Sequence, residues 1–596
     1  KLEKISLTKL EGSGDYKSNQ LDYQLLGNIF AGNFKSKGKV KDLKRPNVDS
    51  QLEYSNLDLS KFTMLKPSIG IPTQGKASGT LKLKGPLPKN GKFQNLVMQT
   101  SFDITSLSLP MEHNKKTFPL EIPSLKGTVD LNQNKLTHKV NANLLGGSVD
   151  VVGNLNIENK KSANTTIKLK TIDLSSLDQF IPSISGSISG DVKLKGHLPE
   201  NGKIPNNLKV DTIFDLENLR MPLKIKGEMV NAEISKIKGN VSLNRKKLNH
   251  NITAKLLGGN VSAKGNLLLK DSGTPHAVDT AIGLEHLDLV LVQRLKKGDW
   301  IPTSGKLAGN LKLKGPIPEG KNSSIKIKAA GTLTASALAL GTGERKNVIE
   351  TAKLTLKDSS KDFTQALIEL DRFQTAGLEF KKIRTKFKIN SKRIDLIEGR
   401  IFPKNGQLKL KGAFKPLSGA YRIQFKGDKL KVEDFAKQMA GPLNLEGTLN
   451  GKLLEKSTGF PDIAKELSGK VKLYLRDGTL PELKAVDALL TILNPTSTLK
   501  TSKAGLNYES VGGDFKIVKG LVNTDNFIMK SPQINLQVVG QADLGADTVN
   551  AQVKAMPLQI LDKTIKAIPL LGQILTGGKK GGIIETYFKV DGKLSA

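Results

Sequence analysis

Apolar and polar residues alternate along most of this chain with a period of two. Thr80-Leu81-Lys82-Leu83-Lys84, Thr166-Ile167-Lys168-Leu169-Lys170, Ser324-Ile325-Lys326-Ile327-Lys328 and Gln407-Leu408-Lys409-Leu410-Lys411 all follow it. Successive side chains of a β-strand point to opposite faces, so each segment places its Leu or Ile on one side and its Lys on the other. Gly, Asn, Asp and Pro between such runs supply turns, at intervals of about ten residues. The pattern predicts a mainly β protein whose sheet has one greasy face and one wet face.

Two motifs recur. The first, Gly-x-x-x-Gly followed by a short strand, Lys-Gly and an apolar-Pro step, runs from Gly75 to Pro88, Gly186 to Pro199 and Gly305 to Pro318. These copies start 111 and 119 residues apart. Beside β-alternation, its glycines read as turn and bulge positions. The second, Leu-Leu-Gly-Gly-x-Val-x-x-x-Gly, spans Leu144 to Gly153 and Leu256 to Gly265, with a looser copy at Phe30 to Gly38 and a degenerate echo at Ile401 to Gly412. A period near 112 exceeds that of short solenoid repeats, so each unit must hold many strands. Asp58 to Lys66, Asp173 to Phe180 and Asp288 to Lys297 precede the first motif each time and read as short helices or irregular crossings, each starting with Asp as a good N-cap. This divides the chain into a repetitive region, 1–460, with units near 30–145, 146–258 and 259–400, and a C-terminal region, 461–596.

The C-terminal region changes character. Ile463 to Leu467 reads as a helix end, Lys470 to Leu475 as a strand and Asp477-Gly478 as a turn. Leu483 to Leu493 is amphipathic and stops at Pro495. Alternating strands follow at Asp514 to Val518, Ile534 to Val538 and Thr586 to Val590. Leu558 to Leu575 is the longest apolar stretch; Lys563, Lys566 and Pro569 interrupt it, so it reads as a helical cap or interfacial element.

Composition sharpens this picture. At 596 residues, with 37% hydrophobic and 5% aromatic residues, the chain suits an extended architecture with a thin continuous core better than a string of dense spheres. The net charge of +36 invites anionic partners, but the lysines are spread through almost every segment and read as a solvated sheet face. Cysteine is absent, which excludes disulfides, thiolate metal sites and a Cys nucleophile. Strands every 13–15 residues would number roughly 40, and at about 4.8 Å each would extend on the order of 190 Å.

No reaction chemistry emerges. The six histidines, His113, His138, His197, His250, His276 and His286, form no metal-ligand spacing. His138 and His250 lie 112 apart, the same place in consecutive repeats, which points to a structural role. Gly577 to Gly582 lacks the spacing of a phosphate loop and reads as a basic loop. Asp358 and Asp362 sit among Ser and Lys in a solvated turn. The chain reads as a non-enzyme with no cofactor and no metal.

Several C-terminal segments carry a family resemblance: Leu473 to Leu480, Phe515 to Gly520, Met529 to Gly540, Ile568 to Gly572, Gly577-Gly578 and Tyr587 to Gly592. Together with the Leu-Leu-Gly-Gly-x-Val repeats, these resemble the AsmA-like family of Gram-negative envelope proteins. That resemblance implies an inner-membrane anchor before this chain and a long periplasmic β-structure. The family is similar to bridge-like lipid transfer proteins, whose curved sheet forms an apolar groove for phospholipid acyl chains.

The residue pattern leads independently to a groove. A long sheet with one apolar face must cover it with another sheet, a partner or lipid tails. The expected fold is an elongated, repetitive, curved β-sheet groove with short interspersed helices. Leu81, Leu83, Val192, Leu194, Leu311, Leu313, Leu408, Leu410, Val471 and Leu473 are expected to face acyl chains; the competing reading packs them in a closed β-core. The implied partners are phospholipids and the inner and outer membranes or their proteins. The second function class is a scaffold assisting outer-membrane assembly without lipid cargo. A nucleic-acid or polyanion binder is disfavoured by the few aromatics and dispersed charge.

Overall fold

The computed structural model describes residues 7–61, 72–87, 95–113, 116–157, 162–178, 183–199, 202–225, 228–291, 302–318, 327–341, 346–358, 363–375, 377–390, 392–453, 460–480, 505–557 and 586–593. They fall into two units, one drawn from 1–296 and 310–327, the other from 297–309 and 328–596. The protein is mainly β, with 32 strands and one short α-helix among the described residues.

The first unit opens with β1 (Leu7–Lys17), β2 (Gln20–Ile29), β3 (Gly32–Lys41) and β4 (Asn47–Asp58). One repeat follows as β5 (Gln74–Pro86), β6 (Val97–His113), β7 (Lys116–Asn132), β8 (Lys135–Leu144), β9 (Gly147–Asn156) and β10 (Ser162–Asp173). The next is β11 (Ser185–His197), β12 (Lys209–Ile225), β13 (Glu228–Asn244), β14 (Lys247–Leu256), β15 (Gly259–Leu269) and β16 (Pro275–Asp288). β1 to β16 pair antiparallel in strict chain order, so this unit is an open meander. Sixteen strands at about 4.8 Å extend on the order of 75 Å. β17 (Pro302–Pro316) follows.

The second unit continues with β18 (Lys328–Leu340), β19 (Asn347–Asp358), β20 (Thr364–Thr375), β21 (Leu378–Ile389), β22 (Ile394–Phe402), β23 (Gln407–Lys415) and β24 (Ala420–Asp428). Then come the two-residue β25 (Leu430–Lys431), β26 (Pro442–Lys452), α1 (Phe460–Lys465), β27 (Ser468–Leu480) and β28 (Leu506–Val518). β29 (Leu521–Lys530), β30 (Ile534–Asp543), β31 (Thr548–Pro557) and β32 (Thr586–Lys593) complete it. It is again an antiparallel meander, in which β24 and β25 both pair with β26.

The 112-residue period resolves into six strands. They are fewer and longer than ten-residue turn spacing predicts, because β6, β7, β12 and β13 run for 17 residues each. The Leu-Leu-Gly-Gly motif forms the β8–β9 and β14–β15 hairpin loops. Leu144 pairs with Gly147 and Leu256 with Gly259, leaving two-residue loops with both φ angles positive: Leu145 at 48° and Gly146 at 70°, Leu257 at 49° and Gly258 at 70°. This is the type I′ geometry that matches strand twist.

The Gly-x-x-x-Gly motif lies inside strands rather than at turns, and its first glycine faces a two-residue bulge on the next strand, Ser106-Leu107 opposite Gly75 and Asn218-Leu219 opposite Gly186. The register slips across Gly75 between Gln74 and Lys76, and across Gly186 between Ser185 and Ser187. Left-handed Ser106 and Asn218 lie in these bulges, and further left-handed residues recur with the repeat at Asn56, Thr171 and His286. Each lets the next side chain change face, and Ile172, Leu287, Leu107 and Leu219 behind them are buried. Leu107, Ile122 and Ala142 form a small packed seam, with Leu59, Leu109 and Leu144 against it.

The three expected short helices begin as 3-10 turns at Leu59–Lys61, Leu174–Leu177 and 289–291. Their aspartates do cap. Asp58 accepts from Ser60 N at 3.0 Å, Asp173 from Ser175 N at 2.9 Å and Asp288 from Val290 N at 2.9 Å. The expected Asp477-Gly478 turn lies within β27, where Asp477, at φ 42°, is skipped in the pairing with β28. Leu483 to Leu493 and Leu558 to Leu575 lie outside the described residues. Among the described residues no helix is long and apolar enough to cross a membrane.

Candidate functional site

Strand register shows what the alternation builds. Residues directly opposite on paired strands share a face. Leu83, Met98, Leu131, Leu136, Leu155 and Ala163 stand opposite one another from β5 to β10. Leu194, Val210, Leu243, Leu248, Leu267 and Val278 do the same from β11 to β16. Ala163 and Thr165 lie on one face of β10, and Thr165 stands opposite Leu194, so the two rows belong to one apolar face of this unit. Within the first unit every substantial contact between elements joins chain neighbours, so no described strand lies across that face; Leu59, in the turn after β4, reaches over one end of it.

The opposite face is charged. Lys126 meets Asp103 at 2.9 Å, Lys236 meets Glu217 at 2.7 Å and Asp215 at 3.1 Å, and Lys84 meets Asp49 at 3.7 Å. These side chains are largely exposed, and such pairs contribute only about 0–1 kcal/mol each. Their main effect is to keep this face wetted.

All ten residues singled out from the sequence lie on strands and are half-buried, and the lysine between the members of each pair is exposed. Leu81 and Leu83 share the apolar face with Val192 and Leu194. Leu311 and Leu313 occupy one face of β17. In the second unit Leu410 stands opposite Phe425, Phe425 opposite Gly447 and Gly447 opposite Val471, which unites Leu408, Leu410, Val471 and Leu473 on one face. Leu408 and Leu473 also pack against a dense core, as the closed reading expects; no such cluster contains the other eight.

That core comprises Leu430, Val432, Leu443, Leu475, Leu480, Leu506, Tyr508, Val511, Met529, Ile534, Leu536 and Ala555. The segment 430–441 supplies its cover, through Leu430, Val432, Phe435, Ala436 and Met439. Asp434 ties it down by accepting from Asn405 N at 2.7 Å, and Tyr508 donates to Ala440 O at 2.7 Å. Beside the core, on the face of Leu408 and Leu410, lies an open pocket of about 400 Å³ lined by Phe387, Leu396, Phe414, Tyr421, Ile423, Leu449 and other apolar residues. Burial pushes the Tyr421 phenol above its ordinary pKa. The pocket draws on β21 to β26, and the sequence reading missed it because its lining meets only through strand register.

The apolar face of the first unit carries recurrent polar pairs that sequence reading also missed. His138 stands between Val129 and Gly153, with Thr165 beyond the glycine. His250 stands between Val241 and Gly265, with Thr280 beyond. The imidazole crosses the bare glycine to reach the hydroxyl: His138 Nε2 is 3.3 Å from Thr165 Oγ1, and His250 Nε2 is 3.2 Å from Thr280 Oγ1. A Cβ on Gly153 would come within 2.6 Å of Thr165 Oγ1, and one on Gly265 within 2.9 Å of Thr280 Oγ1. The last glycine of the Leu-Leu-Gly-Gly motif therefore makes room for the histidine. One repeat earlier, Tyr23, Gly38 and Ser50 occupy the same places. Burial holds both imidazoles below their ordinary pKa.

Fold and face together define an open, repetitive β-sheet protein whose first unit has an apolar side that no described strand covers. The family model described as "YhdP protein" matches residues 2–596, so the chain belongs to the YhdP family, within the AsmA/bridge-like lipid transfer group. The match runs over nearly the whole chain and is not confined to its C-terminal region. No curated protein and no solved structure matches it.

Proposed function

We propose that this chain is a non-enzymatic lipid conduit, AsmA-like in kind, which carries phospholipid acyl chains along its apolar face in the periplasm between the inner and outer membranes. The observation that carries this reading is the continuous apolar row from Leu194 to Val278, which no described strand covers. An apolar face of that extent in water is unfavourable unless something occupies it. Each methylene of an acyl chain buried there contributes about 0.8 kcal/mol, with little dependence on headgroup. The charged outer face keeps the filled sheet soluble. The partners in this reading are phospholipids and the two membranes or their proteins, with no nucleic acid.

Transfer of a fluorescent phospholipid between vesicles tests it. Leu83→Asp and Leu194→Asp are expected to stop transfer while strand content and melting temperature stay near those of the unaltered chain. Unchanged transfer would sink the reading. Loss of folding in both would favour a closed core.

A further inference from the structure

The two His–Thr pairs are an anomaly on the face where they sit. A polar side chain amid apolar neighbours costs free energy unless it has hydrogen-bond partners. A structural histidine could be replaced by Leu or Val, the residues that fill most of this face. Instead two consecutive repeats keep three residues in register on adjacent strands: His138, Gly153 and Thr165, then His250, Gly265 and Thr280. Thr280 is 7% exposed, whereas both histidines are half-buried and the residue opposite each on the next strand is a glycine, without a side chain. Only Nε2 of each ring is used by the threonine hydroxyl, at 3.3 and 3.2 Å. With the hydroxyl donating to Nε2, the neutral imidazole carries its proton on Nδ1, which puts an N–H donor on a ring seated on the apolar face.

We propose that these pairs are two stations that hydrogen-bond the acyl carbonyl oxygen of a bound lipid, the one strong acceptor at the boundary between its chains and its headgroup. The proposal rests on the conduit reading above. It adds that the face is not uniformly slippery: it reads where an acyl chain begins, at places one repeat apart. The recognised chemistry is a carbonyl oxygen, supplied by the ester of a phospholipid or by the carboxyl of a free fatty acid.

The test uses the full chain and two phosphatidylcholines with the same headgroup and oleyl chains, one ester-linked and one ether-linked, with palmitate as a third probe. Binding is compared for the unaltered chain, His138→Leu/His250→Leu and His138→Gln/His250→Gln, the last keeping an amide donor. One hydrogen bond predicts a preference for ester over ether of about 2- to 10-fold. The Leu pair should abolish it and the Gln pair should restore part of it. A His-dependent preference for palmitate in place of the ester lipid would assign the stations to the fatty-acid carboxyl. Equal binding of ester and ether lipids with no effect on palmitate, or equal loss of all probes in the Leu pair, would overturn the stations and leave the conduit standing. Failure of every probe to bind the unaltered chain would overturn the conduit itself.

Discussion

The first unit and the core of the second are written in the same alternating pattern, yet among the described residues one leaves its apolar side half-buried and the other buries it. In the first, Leu83, Leu194 and most of their row neighbours are half-buried, Leu131 and Ala163 being the buried exceptions, and a small seam packs at Leu107, Ile122 and Ala142. In the second, Leu475 and Ile534 are 2% and 0% exposed beneath the segment 430–441. Alternation makes an amphipathic sheet in both; a covering segment decides whether the apolar side becomes core or working surface. Stability is thus concentrated where the cover lies.

Substitutions should separate the two regions. Leu475→Ala should cost about 2–5 kcal/mol of stability by chemical denaturation, the usual range for emptying a buried leucine site. Leu83→Ala, half-buried, should cost about 1 kcal/mol; equal costs would erase the distinction. Gly153→Ala comes next, since its Cβ would press within 2.4 Å of Asn164 O. It should cost about 1–3 kcal/mol and displace the His138 ring, seen as a shifted imidazole resonance. Tyr508→Phe removes the hydrogen bond that pins the cover to β28 and should cost about 0.5–1.5 kcal/mol, with faster hydrogen exchange over 430–441.

The smallest effect is pH. Burial depresses the pKa of His138 and His250 in the folded chain, so on acidification the unfolded chain takes up those protons first. Their contribution is complete above the unfolded value of about 6.5 and is lost as pH falls toward the folded values. Asp58 and Asp173, held low chiefly by hydrogen bonds from Ser60 and Ser175, add stability above about pH 3.9 that is lost on further acidification. His138→Gln/His250→Gln should flatten the loss just below pH 6.5 and leave the more acidic loss in place.

Much of the fold was legible because period-two alternation is local: Leu81-Lys82-Leu83-Lys84 states its own faces, and the capping aspartates state their turns. What escaped was non-local. The bulges at Asn56, Thr171 and His286 have no common residue type, and the strain they carry is set by the neighbouring strand. Asp477-Gly478 has the composition of a turn, but pairing with β28 on both sides of Asp477 keeps the strand going. The candidate face was legible as pairs of residues; the row that joins Leu83 to Ala163 was not, because register is fixed by hairpins spread across a hundred residues. The two histidines were seen as equivalent places, while their contacts across glycine needed the third strand to be in view.

The most direct test of the conduit is native mass spectrometry of the gently purified chain, followed by lipid extraction. The account predicts several co-purifying phospholipids per chain, lost stepwise in Leu83→Asp and Leu194→Asp, with Leu475→Ala losing stability first. A lipid-free mass from a well-folded sample would contradict it and favour a scaffold without cargo.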